Sequence, residues 1–275
     1  MSTMIPNLIE YIVTELNRLT NSEPLNYLSL NRTIWLNERV TKELLDIIQA
    51  FDLSNTNISP FEKDVLLKFE LNNQIKNLND TTRRRQLDKW IVCSWGGIST
   101  HRDFESIYDL KTQRLYDRIS SWSKILSFEN IETDIIYDSR VIYSLNWLIY
   151  KYNKLHGTNK KFLFQPDGRN KKLNLLPVEA IINFEYSSHY DLDKRGDKVF
   201  CEYFCDKNEC YEYARKLIFE INQKLFENVK STHIGDRAIL HKNFPFFSEM
   251  ILFEIANKEI FEDIRKLITV SINEI

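Results

Sequence analysis

Glycine and proline are scarce in this chain, which has six of each among 275 residues. That number is too small for a β-rich fold, whose many tight turns depend on these two residues. Leucine, isoleucine, lysine and glutamate are plentiful and favour helices instead. Because 43% of the residues are apolar, the chain can bury a substantial core as one large domain or two modest ones. We therefore predict an all-α fold.

Long hydrophobic runs and an excess of one charge are missing as well. No stretch of eighteen apolar residues occurs, which argues against a membrane-spanning helix. The first residues carry Glu10 within their apolar part and no basic start, so they do not resemble a signal peptide, and a cytoplasmic location is the default expectation. The net charge of -2 excludes a globally basic protein, but a local basic face is sufficient to bind nucleic acid.

Common enzyme motifs are absent too. The sequence has no phosphate-binding loop, dinucleotide fingerprint, H-E-x-x-H or G-x-S-x-G motif, and its five histidines are scattered. Three of the four cysteines, Cys201, Cys205 and Cys210, lie close together, which raises the possibility of a metal site. Their C-x3-C-x4-C spacing matches no strong zinc pattern, however. We interpret them as buried or half-buried free thiols and expect no metal and no cofactor.

Hydrophobic periodicity predicts a succession of amphipathic helices. The expected helices lie at residues 4–20, 31–51 with Thr33 as cap, 61–77, 81–97 with Thr81 as cap, 103–128 with a break near 109–111, 138 onward, 177–187, 206–229 and 244–271. We expect an N-terminal helical subdomain, residues 1–80, and a helical core, residues 81–275.

An acidic residue, Asp138, interrupts the apolar run IIYDSRVIYSLNWLIYKYN, residues 135–153, and opens an amphipathic helix. The ordinary explanation is a helix cap, whose carboxylate accepts hydrogen bonds from free backbone N–H groups and complements the positive end of the helix. The other explanation is a catalytic carboxylate on a rigid mount. One residue can serve both purposes.

The residues around Asp138 resemble the helix-hairpin-helix DNA glycosylase superfamily, and in particular the bacterial 8-oxoguanine-glycosylase-like proteins. The resemblance rests on ISSWSKIL (119–126), IYDSRVIYSLNWL (136–148) and, more loosely, HKNFPFFSEMILFEIA (241–256). In that superfamily an essential aspartate opens a helix within a V-D-x-H-V-like stretch, which corresponds to residues 137–141. The resemblance implies a helix-hairpin-helix DNA glycosylase-like helical fold. It also implies an enzyme that flips a damaged or modified base and hydrolyses its N-glycosidic bond at Asp138.

Two departures from that family bear on the chemistry. The glycine-rich turn, roughly L-P-G-V-G, is replaced by YDRISSWSKIL (116–126), so we expect a degenerate or absent DNA-gripping hairpin. Bifunctional members carry a Schiff-base lysine eighteen to twenty residues before the aspartate, where this chain has Ile119 at nineteen and Lys124 at fourteen. We therefore favour a monofunctional hydrolase that uses Asp138 and water. Lys124 is the candidate for a covalent role, with phosphate contact or a solvated face as its alternatives.

A basic loop, two glycines and several aromatic residues supply further candidates. Residues 154–172 contain six Lys or Arg and one Asp, a local balance of +5 that suits phosphate contact. The candidate DNA contacts are Arg169, Asn170, Lys171, Lys172, Arg140, Gly96 and Gly97, and the candidate base-pocket residues are Trp122, Phe244 and Phe247. The alternatives are a solvated charge run for the loop, a helix C-terminus for the glycines and core packing for the aromatic rings.

The sequence thus predicts an enzyme acting on double-stranded DNA that carries a damaged or modified base, without a membrane or an evident protein partner. Oxidised purines are the substrates that the family name implies. A phage-type hypermodified base, removed in antiviral defence, is the second possibility. Two other classes stay open: a DNA- or RNA-binding helical module in which Asp138 is only a cap, and a protein-binding helical scaffold.

Overall fold

The computed structural model describes residues 7–32, 38–48, 58–98, 103–168, 170–185 and 203–268. Helices dominate this part of the chain, and its one sheet is a short two-stranded hairpin. The predicted all-α class is therefore confirmed, while the helix-hairpin-helix glycosylase fold stays a prediction.

The described helices have the following bounds. In chain order they are α1 (Leu8–Leu19), α2 (Pro24–Asn31), α3 (Glu38–Leu45), α4 (Pro60–Asn77), α5 (Thr81–Lys89), α6 (Ser106–Gln113), α7 (Ile119–Glu129), α8 (Ser139–His156), α9 (Val178–Glu185), α10 (Cys210–Leu225), α11 (Phe246–Ile255) and α12 (Phe261–Leu267). Wider π-helical turns at Trp90–Trp95 and Ala256–Ile260 continue α5 and α11. The antiparallel strands are β1 (Thr232–Ile234) and β2 (Arg237–Ile239).

The predicted helices agree with the observed ones in part. The helix α2 was not predicted, the helix predicted over 31–51 corresponds to α3 among the described residues, and the one predicted over 206–229 is the shorter α10. The predictions for 61–77 and 177–187 match α4 and α9 closely. The helical stretch predicted over 103–128 is divided into two helices, α6 and α7, but the break lies at residues 114–118 instead of near 109–111. Arg114 and Arg118 have left-handed φ angles of 53° and 50° there, and a right-handed helix cannot continue through such residues.

Short polar side chains cap the starts of α1, α4, α5 and α8, and the cap predicted for α5 was wrong. The cap of α5 is Asp80 instead of Thr81, because Asp80 Oδ1 accepts a hydrogen bond from the Thr82 N–H at 2.8 Å. Ser59 and Glu62 form a reciprocal capping box at the start of α4. The predicted cap Thr33 lies outside the described residues.

The core is built around α8, whose apolar side chains are almost entirely buried. The helices α1, α11 and α9 pack directly against it, and α1 also packs on α10. A second, smaller cluster joins α3, α4 and the π-helical turn at Trp90–Trp95 around Phe128. Each fully buried large apolar side chain contributes about 1.5–3 kcal/mol. These contacts do not test the expected boundary at residue 80, which stays a prediction.

Two buried asparagine side chains on α8 hydrogen-bond to the backbone of the segment that follows the helix, residues 160–163. Asn146 donates from Nδ2 to the Leu163 carbonyl at 2.8 Å and accepts from the Leu163 N–H at 2.9 Å. About two turns further along α8, Asn153 makes the same pair of hydrogen bonds with the Lys160 carbonyl and N–H, both at 2.9 Å. Between these partners, the Phe162 N–H donates to the Tyr203 carbonyl and the Phe162 carbonyl accepts from the Cys205 N–H. Because its backbone groups are satisfied in these ways, the buried part of this segment, Phe162 and Leu163, needs no regular strand beside it. The segment belongs to the basic loop.

Stability is expected to depend on pH through His241, which is buried beside Phe247 at a ring distance of 4.5 Å. Burial lowers the pKa of His241 to about 4, and its Nδ1 has no hydrogen-bond partner among the described residues. The unfolded chain binds a proton below about pH 6.5, whereas the folded chain does not until about pH 4. The free energy of unfolding therefore falls as the pH is lowered through this window, by about 2 kcal/mol at pH 5.

Urea unfolding of the wild type and of His241→Gln at pH 7 and pH 5 checks this expectation. The wild type should lose about 2 kcal/mol more than the variant between the two pH values. Equal losses in both proteins would contradict it, because all other titrating groups are shared.

Candidate active site around Asp138 and Lys124

Asp138 is the N-cap of α8, as predicted, and one of its two carboxylate oxygens remains available. Asp138 Oδ1 accepts a hydrogen bond from the Arg140 N–H at 2.9 Å. The other oxygen, Oδ2, lies 3.9 Å from Lys124 Nζ. The Asp138 side chain is 24% exposed, so solvent or a ligand can reach it. The residue is a cap, and it is also half of a charged pair.

Lys124 is a buried lysine and not a solvated one. It lies on α7, its side chain is only 7% exposed, and its Nζ donates a hydrogen bond to the Ser120 carbonyl at 3.1 Å. Burial lowers the pKa of Lys124, and the negative charges of Asp138 and Glu249 oppose that shift. The short connector between α7 and α8 therefore brings the lysine fourteen residues upstream into contact with the aspartate.

The connector is fixed from both sides, which makes the position of Asp138 rigid. On the α7 side, Ser123 Oγ accepts from the Tyr137 N–H and Ser120 Oγ donates to the Tyr137 carbonyl, both at 3.0 Å. On the α11 side, Glu249 Oε2 accepts from the Ile136 N–H at 2.8 Å. Burial raises the pKa of Glu249, whereas Lys68 and this backbone hydrogen bond lower it.

Gly96 provides space for Lys124. It follows the π-helical turn, and a Cβ at this position would lie 2.7 Å from both Lys124 Cδ and the Val92 carbonyl oxygen. Gly97 has a φ of 64°, and a Cβ there would meet open space. The two glycines end a helix, as one alternative predicted, and Gly96 in addition lies against the candidate site.

The tip of the basic loop lies beside the start of α8. A Cβ on Gly168 would overlap the Ser139 side chain, which follows Asp138 in the chain. Of the predicted phosphate contacts in this loop, Arg169 lies outside the described residues and Lys171 is exposed.

The other two predicted contacts in the loop bind the protein itself. Asn170 Nδ2 donates to Asn257 Oδ1 at 2.5 Å, and Lys172 Nζ donates to the Asn257 carbonyl at 2.6 Å. Lys172 Nζ also lies 4.4 Å from the centre of the Phe261 ring. The loop is therefore docked on the wide turn between α11 and α12, which places its tip near Asp138. Its two docked side chains would have to exchange these partners to reach a phosphate.

Arg140 and the predicted base-pocket aromatics make intramolecular contacts. The Arg140 guanidinium lies 4.3 Å from the centre of the Phe253 ring. Trp122 and Phe247 are fully buried, and Trp122 Nε1 donates to the Leu115 carbonyl at 2.9 Å. Phe244 is half-buried against Phe69, at 4.9 Å between ring centres. A base could stack on Trp122 or Phe247 only after the core opens, so core packing accounts for these two rings.

A cluster of buried ionic side chains lies next to the pair, and the sequence analysis did not anticipate it. Lys68 is fully buried, with Nζ 3.4 Å from Ser127 Oγ and 4.8 Å from the centre of the Phe128 ring. Arg32 pairs with Asp64 and Glu254 at 2.7 and 2.9 Å. Burial lowers the pKa of Lys68, and Glu249 opposes this shift. Nothing in the sequence indicated this burial, because a lysine on an amphipathic helix such as α4 ordinarily lies on the exposed face.

The described residues offer neither a metal-binding cluster nor a membrane-spanning helix. They contain no group of three or more His, Cys, Asp or Glu side chains able to hold a metal ion. None of their helices combines the length and hydropathy needed to cross a membrane. Comparison of the chain with protein-family models, with curated proteins and with solved structures found no match.

Gly96→Ala is expected to destabilise the protein by about 3 kcal/mol, because the added methyl group meets Lys124 and two backbone carbonyl oxygens. Gly97→Ala is the matched control. It adds the same group in open space and costs about 1–2 kcal/mol from its left-handed φ.

A double-mutant cycle measured by urea unfolding isolates the lysine contact. In a Lys124→Ala background, which removes Cδ, the cost of Gly96→Ala should fall, whereas that of Gly97→Ala should not. An unchanged cost of Gly96→Ala would show that the packing between Gly96 and Lys124 is absent.

Proposed function

We propose that this chain is a DNA glycosylase that extrudes a damaged or modified nucleotide and breaks the bond between its base and deoxyribose at Asp138 and Lys124. The observation that carries the proposal is the 3.9 Å separation between Lys124 Nζ and Asp138 Oδ2. A partly exposed carboxylate and a buried amine adjoin each other, and both are held by rigid helices.

Asp138 suits the charge that develops in this reaction. As the base departs, positive charge builds on the deoxyribose, and a fixed carboxylate near the sugar stabilises it. The Arg140 N–H holds one oxygen of Asp138, and hydrogen bonds from α7 and α11 hold the two residues before it. Little reorganisation is therefore needed when the charge appears, which is the condition under which such stabilisation is largest.

Lys124 suits the role of the attacking amine. Its lowered pKa increases the neutral, nucleophilic fraction at a given pH. The neutral amine attacks C1′ of the deoxyribose, and the bond between C1′ and the base breaks. The base leaves with the bonding electrons and takes up a proton, and the amine nitrogen loses one. The C1′–O4′ bond of the sugar ring then breaks, O4′ takes up a proton, and C1′ is left as a protonated Schiff base with the Lys124 nitrogen.

We propose this covalent route over the water route that the sequence spacing favours. The reason is that the fourteen-residue spacing proves compatible with contact between Lys124 and Asp138. The water route needs only Asp138 and remains the alternative chemistry at the same site.

The helix pair before Asp138 supports the resemblance to helix-hairpin-helix proteins. The helices α6 and α7 pack against each other and are joined by residues 114–118. Two left-handed residues, Arg114 and Arg118, stand in this turn, where the family has glycines. Their guanidinium groups turn back onto the protein, Arg114 to Glu212 and Arg118 to the Asp103 carbonyl. A DNA contact at this turn would therefore use backbone groups.

Asp138→Asn tests the proposal, because asparagine caps a helix about as well as aspartate but carries no charge. Duplexes with oxidised purines or hypermodified pyrimidines are incubated with the protein and treated with alkali, which cuts abasic sites. After alkali treatment we expect strand breaks at the modified base with the wild type and a loss of about 100-fold or more in rate with the variant. The control is Asp80→Asn, which alters the corresponding cap of α5 and should leave the rate unchanged.

The same assay separates the other classes of protein. Salt-sensitive duplex binding without breaks by the wild type would indicate a nucleic-acid-binding module. The absence of both binding and breaks would indicate a protein-binding scaffold. Equal activity of the wild type and Asp138→Asn would exclude Asp138 as the catalytic carboxylate.

Borohydride reduction tests the role of Lys124, since only a Schiff base gives a covalent protein–DNA adduct. We expect an adduct with the wild type and none with Lys124→Gln. Lys151→Gln is the matched control, because Lys151 also pairs with carboxylates, at 2.9 Å to Glu15 and 3.0 Å to Asp263, and should still be trapped. Base release without any adduct would establish the water route.

A further inference from the structure

Two of the clustered cysteines meet in the fold. Cys205 Sγ and Cys210 Sγ are 2.7 Å apart, although neither belongs to a disulfide. Cys210 is the first residue of α10 and is buried, whereas Cys205 is half-buried. A disulfide bond is about 2.05 Å long, so the two sulfur atoms need to approach only slightly to become bonded.

The backbone holds the two thiols in this arrangement. The Cys205 N–H donates to the Phe162 carbonyl at 2.9 Å, next to an isolated bridge between Phe162 and Phe204. The intervening turn is closed by Asp206, whose Oδ1 accepts from the Asn208 N–H at 2.8 Å. The contact between the thiols is therefore built by elements on both sides of the turn and does not rest on two mobile side chains.

Contact between the two thiols lowers the pKa of one of them, Cys210. The two sulfur atoms share a hydrogen bond, and this contact lowers the pKa of Cys210 and raises that of Cys205. The Tyr137 hydroxyl adds to the lowering at Cys210. Since the thiolate is the form that attacks a disulfide, the lowered pKa equips Cys210 to complete a disulfide with Cys205, whereas burial raises the pKa of the Cys93 thiol.

We propose that Cys205 and Cys210 form a redox-active dithiol site, which small disulfides such as oxidised glutathione convert into an intramolecular disulfide. The half-buried sulfur of Cys205 loses its proton to solvent and then attacks one sulfur of the small disulfide. One small thiolate leaves, and a mixed disulfide forms. The Cys210 thiolate then attacks Cys205 Sγ and expels the second small thiol. Two cysteine thiols are oxidised and one small disulfide is reduced to two thiols.

The site adjoins the candidate active site without being part of it. Tyr137 interacts with Cys210 through its hydroxyl group and immediately precedes Asp138. Oxidation replaces the Cys210 thiol beside Tyr137 by a disulfide sulfur, which cannot ionise. The dithiol proposal needs no glycosylase activity, and its test below uses none.

Peptide mapping of the full chain tests the proposal. Trypsin cleaves after Lys198, Lys207 and Arg215, so Cys205 and Cys210 fall on different peptides, residues 199–207 and 208–215. After treatment with millimolar oxidised glutathione, blocking of free thiols and digestion without reductant, a disulfide between them links the two peptides. Because residues 199–207 also contain Cys201, the decisive protein is Cys201→Ser.

In Cys201→Ser we expect the linked peptides and a fall from three blockable thiols to one, that of Cys93. Dithiothreitol should reverse both changes, and Cys201→Ser with Cys210→Ser should show a mixed glutathione disulfide at Cys205 without linkage. Unlinked peptides in Cys201→Ser would overturn the proposal, whether Cys205 is glutathionylated or untouched. In the wild type, which needs no substitution to fold, a bond from Cys201 to either cysteine in preference to the Cys205–Cys210 bond would overturn it as well.

Discussion

A lysine loses most of its hydration when it is buried, and the protein must compensate that loss with polar contacts or a counter-charge. For Lys124 the compensation comes from the Ser120 carbonyl and the Asp138 carboxylate. The start of α8 must therefore lie against α7, and Gly96 must lack a side chain. Removing either charge alone would leave the other poorly compensated, so the pair constrains the fold as well as the chemistry.

The surrounding helices support this arrangement from three directions. Serines of α7 hold the backbone before Asp138, Glu249 of α11 holds it from the opposite side, and the loop tip at Gly168 lies against Ser139. The buried Glu249 and Lys68 influence each other and the pair through charge. Burial lowers the pKa of Lys124 and raises that of the nearby Glu249, and perturbed pKa values of this kind cluster at functional sites.

Local signals made part of this structure predictable. The cap at Asp138 and the helix that follows could be inferred, because an N-cap depends on residues within one turn. The break at residues 114–118 could not, since arginine carries no preference for the left-handed conformation it adopts there. Burial of Lys124, Lys68 and Glu249 depends on partners far apart in sequence, and the fully buried Trp122 and Phe247 gave the same aromatic signal as pocket residues would.

The two amides of α8 impose a length rule on the chain that follows. Asn146 and Asn153 are seven residues apart, so they are separated by about 10.5 Å along the helix. Their partners, Leu163 and Lys160, are three residues apart, which spans about 10 Å in extended chain. The distance between the two amides along the helix thus matches the distance between their partners along the extended segment. If one residue were inserted or deleted between 160 and 163, the two amides could no longer bond to their backbone partners at the same time. A change of length at 157–159 would leave the distance between the two partners unchanged.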